Sequence, residues 1–215
     1  KAAKLDPNSK TPTYAAVRRF GLGLRMVDVG SAPGDLAAAV TAALSPRTRL
    51  VVLSHVAFTT GAVLPLAAVA EAAHRRGALV AVDGAQSAGA IPVNVRELDV
   101  DFYAVTGQKW LCGPEGVGAL YVRRDRLTEL SPTFIAHFAI SDPNSMDLTG
   151  YFMPAPGAQR YEQGTVYWPA LFGMNESLRW LEEDVGWPWI HERTAAITER
   201  CRAMLAALPG CTIHS

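Results

Sequence analysis

Short apolar runs rich in valine alternate along this chain with alanine-rich stretches in which apolar residues recur every three or four positions. The first pattern belongs to strands covered on both faces and the second to the helices that cover them, so their alternation predicts an α/β fold with a mostly parallel sheet. Strands are expected at 24–29, 50–54, 78–83, 100–105 and 118–123. Helices are expected at 33–44, opened by Pro33, and at 65–76, closed by Gly77. From 131 to 165 the pattern dissolves into prolines, glycines and scattered aromatics such as Phe134, Phe138, Tyr151 and Phe152. A connection that long carries function or lacks structure of its own. Helical spacing returns at 171–184 and 189–208, with Gly186 and Pro188 marking the break between two consecutive helices. There is no internal repeat, and the alanine-rich 37–43 segment reads simply as a good helix former.

Composition narrows the class of partner. A chain of 215 residues, 49% of them hydrophobic, can bury one sizeable core, or a large domain plus a fragment of another. Twenty basic and twenty acidic side chains cancel to a net charge of zero, which removes the electrostatic footprint of a protein whose main business is nucleic acid or an anionic membrane. A small-molecule partner is expected instead. Cys112, Cys201 and Cys211 lack the paired spacing of a zinc site or a disulfide framework and read as free thiols in a reducing compartment. No apolar run approaches the ~20 residues that span a bilayer, so a cytoplasmic protein without a membrane segment is expected. The first residue is Lys, and 211–215 reads like a strand cut short, so the expectation is a fragment of a longer protein.

In open α/β sheets ligands collect at the carboxyl ends of the strands. Asp83 ends the apolar run Ala78-Leu-Val-Ala-Val-Asp83, and Lys109 follows the next run within Tyr103-Ala-Val-Thr-Gly-Gln-Lys-Trp-Leu111. A lysine amine forms a Schiff base with a carbonyl cofactor, and an aspartate keeps a pyridine nitrogen protonated, which together suggest pyridoxal phosphate chemistry. Gln86 can donate its amide to the phenolic oxygen of that cofactor, and Thr106 and Gln108 can donate to its phosphate. Taken singly, Lys109 beside Trp110 also reads as an exposed residue over an aromatic face, and Asp83 as the cap of a turn. His55 reads as a satisfied structural histidine after a buried strand, Cys112 as buried packing, and His137 and Tyr151 as surface residues of the long loop.

The segment from Ser54 to Val122 resembles the core of the class V aminotransferase family, which includes cysteine desulfurases, selenocysteine lyases and isopenicillin N epimerase-like enzymes. The matching text is Ser54-His-Val, Thr60-Gly61, Asp83-Gly-Ala-Gln86, Asp99-Val-Asp-Phe-Tyr103 and Lys109-Trp-Leu-Cys-Gly-Pro-Glu-Gly-Val-Gly118. The resemblance implies a three-layer α/β/α fold type I enzyme with Lys109 as the Schiff-base lysine, Asp83 as the pyridinium partner and Gln86 at the ring oxygen. A further match, Arg160-Tyr-Glu-Gln-Gly-Thr165, implies that Thr165 reaches the cofactor phosphate of a neighbouring subunit, and hence a homodimer with shared active sites. The residues alone also allow Thr165 to be no more than part of a helix entry.

The chain departs from the desulfurase pattern at two places. Gln108 stands where those members carry histidine, and Phe58 where they carry an asparagine. No arginine matches the family's grip on the substrate carboxylate. The expected organisation is a cofactor-binding large domain over 1–166, lacking its N-terminal part, followed at 167–215 by linking helices and the start of a small domain. The expected activity is on an amino acid, desulfurase or C–S lyase-like, ranked first by family frequency. The alternatives are an aminotransferase or isopenicillin N epimerase-like enzyme, and a truncated cofactor-binding module without turnover. A nucleotide-binding α/β domain ranks last, because Gly30-Ser-Ala-Pro-Gly-Asp35 matches neither a P-loop nor a dinucleotide fingerprint.

Overall fold

A computed structural model of the protein describes residues 7–27 and 36–213, with side chains from residue 13 onward except that of Pro143. Among these residues, four strands make one sheet in the order β1 (Leu50–Ser54), β2 (Leu79–Asp83), β3 (Phe102–Thr106), β4 (Gly118–Val122). The first three run parallel, and β4 turns back antiparallel to β3. The α/β class with a mostly parallel sheet is therefore as the periodicity predicts.

Helix α1 spans Pro7–Phe20, α2 Leu36–Ala43, α3 Leu66–His74, α4 Trp168–Arg179 and α5 Trp187–Ala206. Helices α2 and α3 pack on the sheet face formed by Leu53, Val80, Val82 and Tyr103. Leu66, Val69 and Val80 are fully buried there, each contributing about 1.5–3 kcal/mol relative to exposure. On the opposite face Leu50, Val52 and Leu120 stay 40–48% exposed.

The amino ends of the strands are tied by a buried carboxylate. Asp101 is fully buried and accepts hydrogen bonds from the Val80 N–H at 2.7 Å, His74 Nε2 at 2.8 Å and Arg126 Nε at 2.8 Å, with Arg123 Nη2 at 3.1 Å. This joins β2, α3 and the segment after β4 at one point. Burial opposes the charge, but the hydrogen bonds from His74, Val80 and Arg126 outweigh it and hold the carboxyl below the usual range.

Several boundaries differ from the sequence reading for local reasons. The strand expected at 100–105 is Phe102–Thr106, because Asp99 adopts φ +50 just before it. Residues 22–27 form no regular element, and 28–29 of that expected strand lie outside the described residues, as do 33–35 of the expected helix and the glycine-containing segment 30–35. Residues 211–213 are likewise irregular, with 214–215 outside the described set. Helix α4 begins earlier than expected, at Trp168 with Pro169 in its first turn, and passes into a π-helical turn over Trp180–Val185. Gly186, at φ +87, separates it from α5, as the sequence predicts. The 131–165 region is a folded excursion rather than open coil. It has short 3₁₀ turns, an antiparallel bridge between Ile140 and Pro154, and buried Ala139 and Ala155.

Candidate active site

The candidate site is built from the loops that leave β2 and β3 at their carboxyl ends. Pairing of Asp83 with Ala104 sets those two ends side by side. The Asp83 carbonyl accepts the His55 N–H at 3.0 Å, and the Gly84 N–H donates to the Ala104 carbonyl at 2.7 Å, so the chain leaves β2 under hydrogen bonds from both neighbouring strands. One Asp83 carboxylate oxygen, Oδ1, accepts the Ala85 N–H at 3.0 Å. The reading of Asp83 as a turn cap thus holds for Oδ1, while Oδ2 takes no partner among the described residues.

Gln86 presents Oε1 to the Trp110 indole N–H at 3.1 Å, which leaves both amide hydrogens of Gln86 free to donate elsewhere. That bond also ties the aspartate turn to the lysine loop, so the Trp110 ring is turned to Gln86. Thr106 donates its hydroxyl to Gln108 Oε1, leaving the Gln108 amide nitrogen as a donor. Lys109 makes no ion pair or side-chain hydrogen bond among the described residues; its carbonyl accepts the Cys112 N–H at 3.0 Å.

The lysine loop is gripped from outside by α4. The Gly113 N–H donates to the Gly107 carbonyl at 2.8 Å, closing a small ring of backbone around Lys109. Met174 lies across both glycines: a Cβ on Gly113 would stand 2.4 Å from Met174 Sδ, and one on Gly107 2.9 Å from it. Gly173 packs against Pro114, and the Ser177 hydroxyl donates to the Leu111 carbonyl at 2.5 Å across 66 residues of sequence. Sequence reasoning missed Met174 and Ser177, since helical periodicity shows that a residue faces inward but not what it meets.

Behind the aspartate turn lies a buried polar chain. The Ser87 hydroxyl donates to the Gly84 carbonyl at 3.1 Å, Ser87 Oγ meets the Tyr103 hydroxyl at 2.5 Å, and Tyr103 Oη meets His55 Nδ1 at 2.8 Å. A Cβ on Gly84 would lie 2.0 Å from Tyr103 Cε1, so the ring forms the floor under the Asp83–Gly84 peptide. Burial pushes the Tyr103 phenol up, the Ser87 hydrogen bond opposes that, and the nearby Asp83 charge pushes it further up. Burial also lowers the His55 imidazole, which is therefore neutral near neutral pH. The reading of His55 as a satisfied buried histidine agrees with this.

The structure corrects one residue and leaves others apart. Cys112 is exposed with φ +54 rather than buried packing, and all three cysteines are free. Thr165 stands exposed in the segment before α4, whose N-cap is Tyr167, and makes no hydrogen bond to Asp83, Gln86, Thr106, Gln108 or Lys109 within this chain. Arg160 and Tyr161 anchor the segment leading to it, with Arg160 Nη1 and the Tyr161 hydroxyl both donating to the Leu127 carbonyl. His137 lies edge-on to Phe138 in a 3₁₀ turn, Tyr151 is exposed, and Phe58 is exposed in the turn after β1. Among the described residues no cluster of His, Cys, Asp and Glu could hold a metal ion, and no helix is long and apolar enough to cross a membrane.

By the chemistry of its donors, this set fits the cofactor implied by the sequence. It offers an amine unpaired among the described residues for an aldehyde, a carboxylate oxygen for a ring N–H, an amide for a ring oxygen, and the Gln108 amide for a phosphate, with the Thr106 hydroxyl holding Gln108 Oε1 beside it.

The family model described as aminotransferase class-V matches residues 5–215. An isopenicillin N epimerase from Streptomyces clavuligerus is 37% identical over 203 residues, covering 91% of this chain and 50% of that protein. A probable cysteine desulfurase from Mycolicibacterium paratuberculosis is 34% identical over 199 residues, covering 93% of this chain and 28% of that protein. Among solved structures, a cystine C–S lyase in complex with its product cysteine persulfide superposes with a TM-score of 0.82 at 35% identity, covering 97% of this chain and 55% of the lyase. A variant of that lyase, solved with glycine covalently linked to its PLP cofactor, has a TM-score of 0.82 at 36% identity, covering 95% and 54%. The chain therefore spans about half or less of the length of these relatives.

Proposed function

Because the chain belongs to the aminotransferase class-V family, whose members depend on pyridoxal phosphate, we propose that it forms the cofactor site of an enzyme that cleaves a carbon–sulfur bond in an amino acid substrate. One observation carries the reading. Lys109 and Asp83 stand in loops after adjacent parallel strands, the loops are joined by the Trp110–Gln86 hydrogen bond, and the amine and Asp83 Oδ2 are both unpartnered among the described residues.

When bound, pyridoxal phosphate supplies an electron sink for the pair released as a bond to the substrate α-carbon breaks. Asp83 would hold the pyridine N–H through Oδ2, and Gln86 would donate to the ring oxygen. Gln108 would donate its amide to the phosphate, and Thr106 would join it by turning its one hydroxyl hydrogen away from Gln108 Oε1. Lys109 would carry the aldehyde carbon at rest and, once freed by the substrate amine, move a proton at the substrate α-carbon. Phe58 and Gln108 favour no desulfurase-specific contact, and the 37% identity to an isopenicillin N epimerase supports a second reading in which Lys109 returns the proton to the α-carbon instead.

We also place residues 1–166 in the cofactor-binding domain and 167–215 at the start of a second one. We further propose a homodimer in which Thr165 reaches the neighbouring subunit's cofactor phosphate.

The test uses the full-length protein incubated with pyridoxal phosphate, reduced with borohydride and digested for mass spectrometry. The expected outcome is a cofactor-mass label on Lys109 that Lys109→Ala removes; a label elsewhere, or one that survives the substitution, would falsify the assignment. Supplying cysteine, cystine and chiral amino acids then separates the two readings by product, sulfide or persulfide against an inverted α-carbon. Attachment without any product would leave a binding module. For the dimer, Thr165→Ala should increase cofactor loss on dialysis, and a monomer by sedimentation at assay concentration would exclude shared sites.

A further inference from the structure

The buried chain behind the aspartate turn can carry its hydrogens in one of two directions, because either end of each side-chain contact can donate. In one direction the Ser87 hydroxyl gives its single hydrogen to the Gly84 carbonyl at 3.1 Å, so at its 2.5 Å contact with Tyr103 the serine oxygen accepts and the phenol donates. With its hydrogen committed to Ser87, Tyr103 Oη can only accept from His55 Nδ1 at 2.8 Å. His55 must then carry its proton on Nδ1. Its Nε2 is left as a bare lone pair, with no hydrogen-bond partner among the described residues and not sealed from the surface. The three side chains are 4%, 2% and 0% exposed for His55, Tyr103 and Ser87, so no water replaces a lost link cheaply.

The chain starts just past β1, crosses β3 and ends on the backbone between Asp83 and Gln86. The Gly84 carbonyl also accepts the Ser87 and Ala88 N–H at 3.1 and 3.0 Å, so the serine hydroxyl adds a third restraint to the turn that aims both Asp83 and Gln86. We propose that the chain runs this way, from the His55 Nδ1–H to the Gly84 carbonyl, and that His55 at its head is a positioning residue that steadies the orientation of the Asp83 carboxylate and the Gln86 amide. The inference rests on the cofactor roles proposed above for those two residues.

The test has two parts on the full-length protein. In the first, cofactor-free protein with ¹⁵N-labelled histidine is examined near neutral pH, with His55 assigned by loss of its signals in a variant. The expected pattern is a protonated Nδ1 and a bare Nε2. An Nε2–H tautomer, or an imidazolium, overturns the chain's direction and the proposal with it. In the second part, His55→Asn is compared with His55→Gln and Tyr103→Phe after loading with pyridoxal phosphate. Asparagine places an amide N–H where Nδ1 stands, whereas glutamine places it near Nε2. His55→Asn should keep the wild-type cofactor absorbance and a kcat within about threefold, while His55→Gln and Tyr103→Phe shift the band and lose on the order of tenfold in kcat at little-changed KM. If Asn and Gln behave alike while the wild type attaches cofactor normally, the positioning role alone fails. If the wild type attaches no cofactor, the reading of the site fails and the positioning role falls with it, while the tautomer result stands.

Discussion

The turn carrying Asp83 and the loop carrying Lys109 sit at the ends of neighbouring strands, yet they are restrained by different physics. The aspartate turn is held from within the sheet by hydrogen bonds from His55, Gly84 and Ser87, all buried or nearly so. The lysine loop is held from outside, by Met174 lying over Gly107 and Gly113 and by Ser177 on the Leu111 carbonyl. Hydrogen bonds are directional, and the one from the Ala85 N–H reaches the Asp83 carboxylate itself, whereas the packing and the Ser177 bond of the lysine loop hold its backbone and leave the Lys109 side chain free to turn. Under the proposed roles, a carboxylate that points one way and an amine that changes partners are each served by the restraint that suits them.

Substitutions can break that contrast, and Asp83→Ala should act most strongly. Removing the charge partner should slow turnover by about 10²–10³-fold while the Lys109 label persists; single-turnover rates at near-wild-type values would detach Asp83 from the mechanism. Next comes Gly84→Ala, whose new methyl meets the packed Tyr103 ring at 2.0 Å. It should destabilise by about 1–3 kcal/mol or more in denaturant melts. Gly113→Ala meets the flexible end of Met174 at 2.4 Å and, less tightly, the Gly107 carbonyl oxygen at 3.2 Å. It should cost less and be partly rescued by Met174→Ala in a double-mutant cycle, while Gly84→Ala gains nothing from that second change. Equal costs for the two glycines, or cross-rescue, would erase the distinction between the regions. Ser177→Ala should cost about 1 kcal/mol and leave the aspartate turn's hydrogen exchange unchanged.

A further effect is an acid one and involves neither loop. Asp101 has its folded carboxyl held below its unfolded value, so it adds stability above the unfolded pKa of about 4. That increment is lost as pH falls through the lower folded value. Asp101→Asn should flatten this limb of the stability curve without altering the label on Lys109.

How much of this was legible in the sequence follows from the range of the forces involved. The 50–54 strand was read to the residue because its apolar run and its ends are local facts. Asp83, Gln86, Thr106, Gln108 and Lys109 were legible as candidates because each is close in sequence to the end of such a run. The polar chain from His55 to Ser87 was not, since its members become neighbours only when three strands pair. The same holds for the α4 grip, which joins Leu111 to a serine 66 residues later. Helix α1 escaped because its polar composition, with mean hydropathy below zero, gives little apolar periodicity. The left-handed backbone of Cys112 follows from the tight return of Gly113 to Gly107, a closure that side-chain pattern does not encode.

The pairing of Asp83 with Ala104 has a consequence for anyone who would redesign this protein. Side chains alternate between the two faces of a strand, so the spacing between the aspartate turn and the lysine loop can change only in whole steps of the ladder. A slip of one residue would carry Asp83 from the open face of the sheet to the helix-packed face and expose Val80 and Val82 in exchange. New specificity can therefore be sought in the length and chemistry of the loops, but the separation of the two key groups behaves as a digital setting rather than a dial.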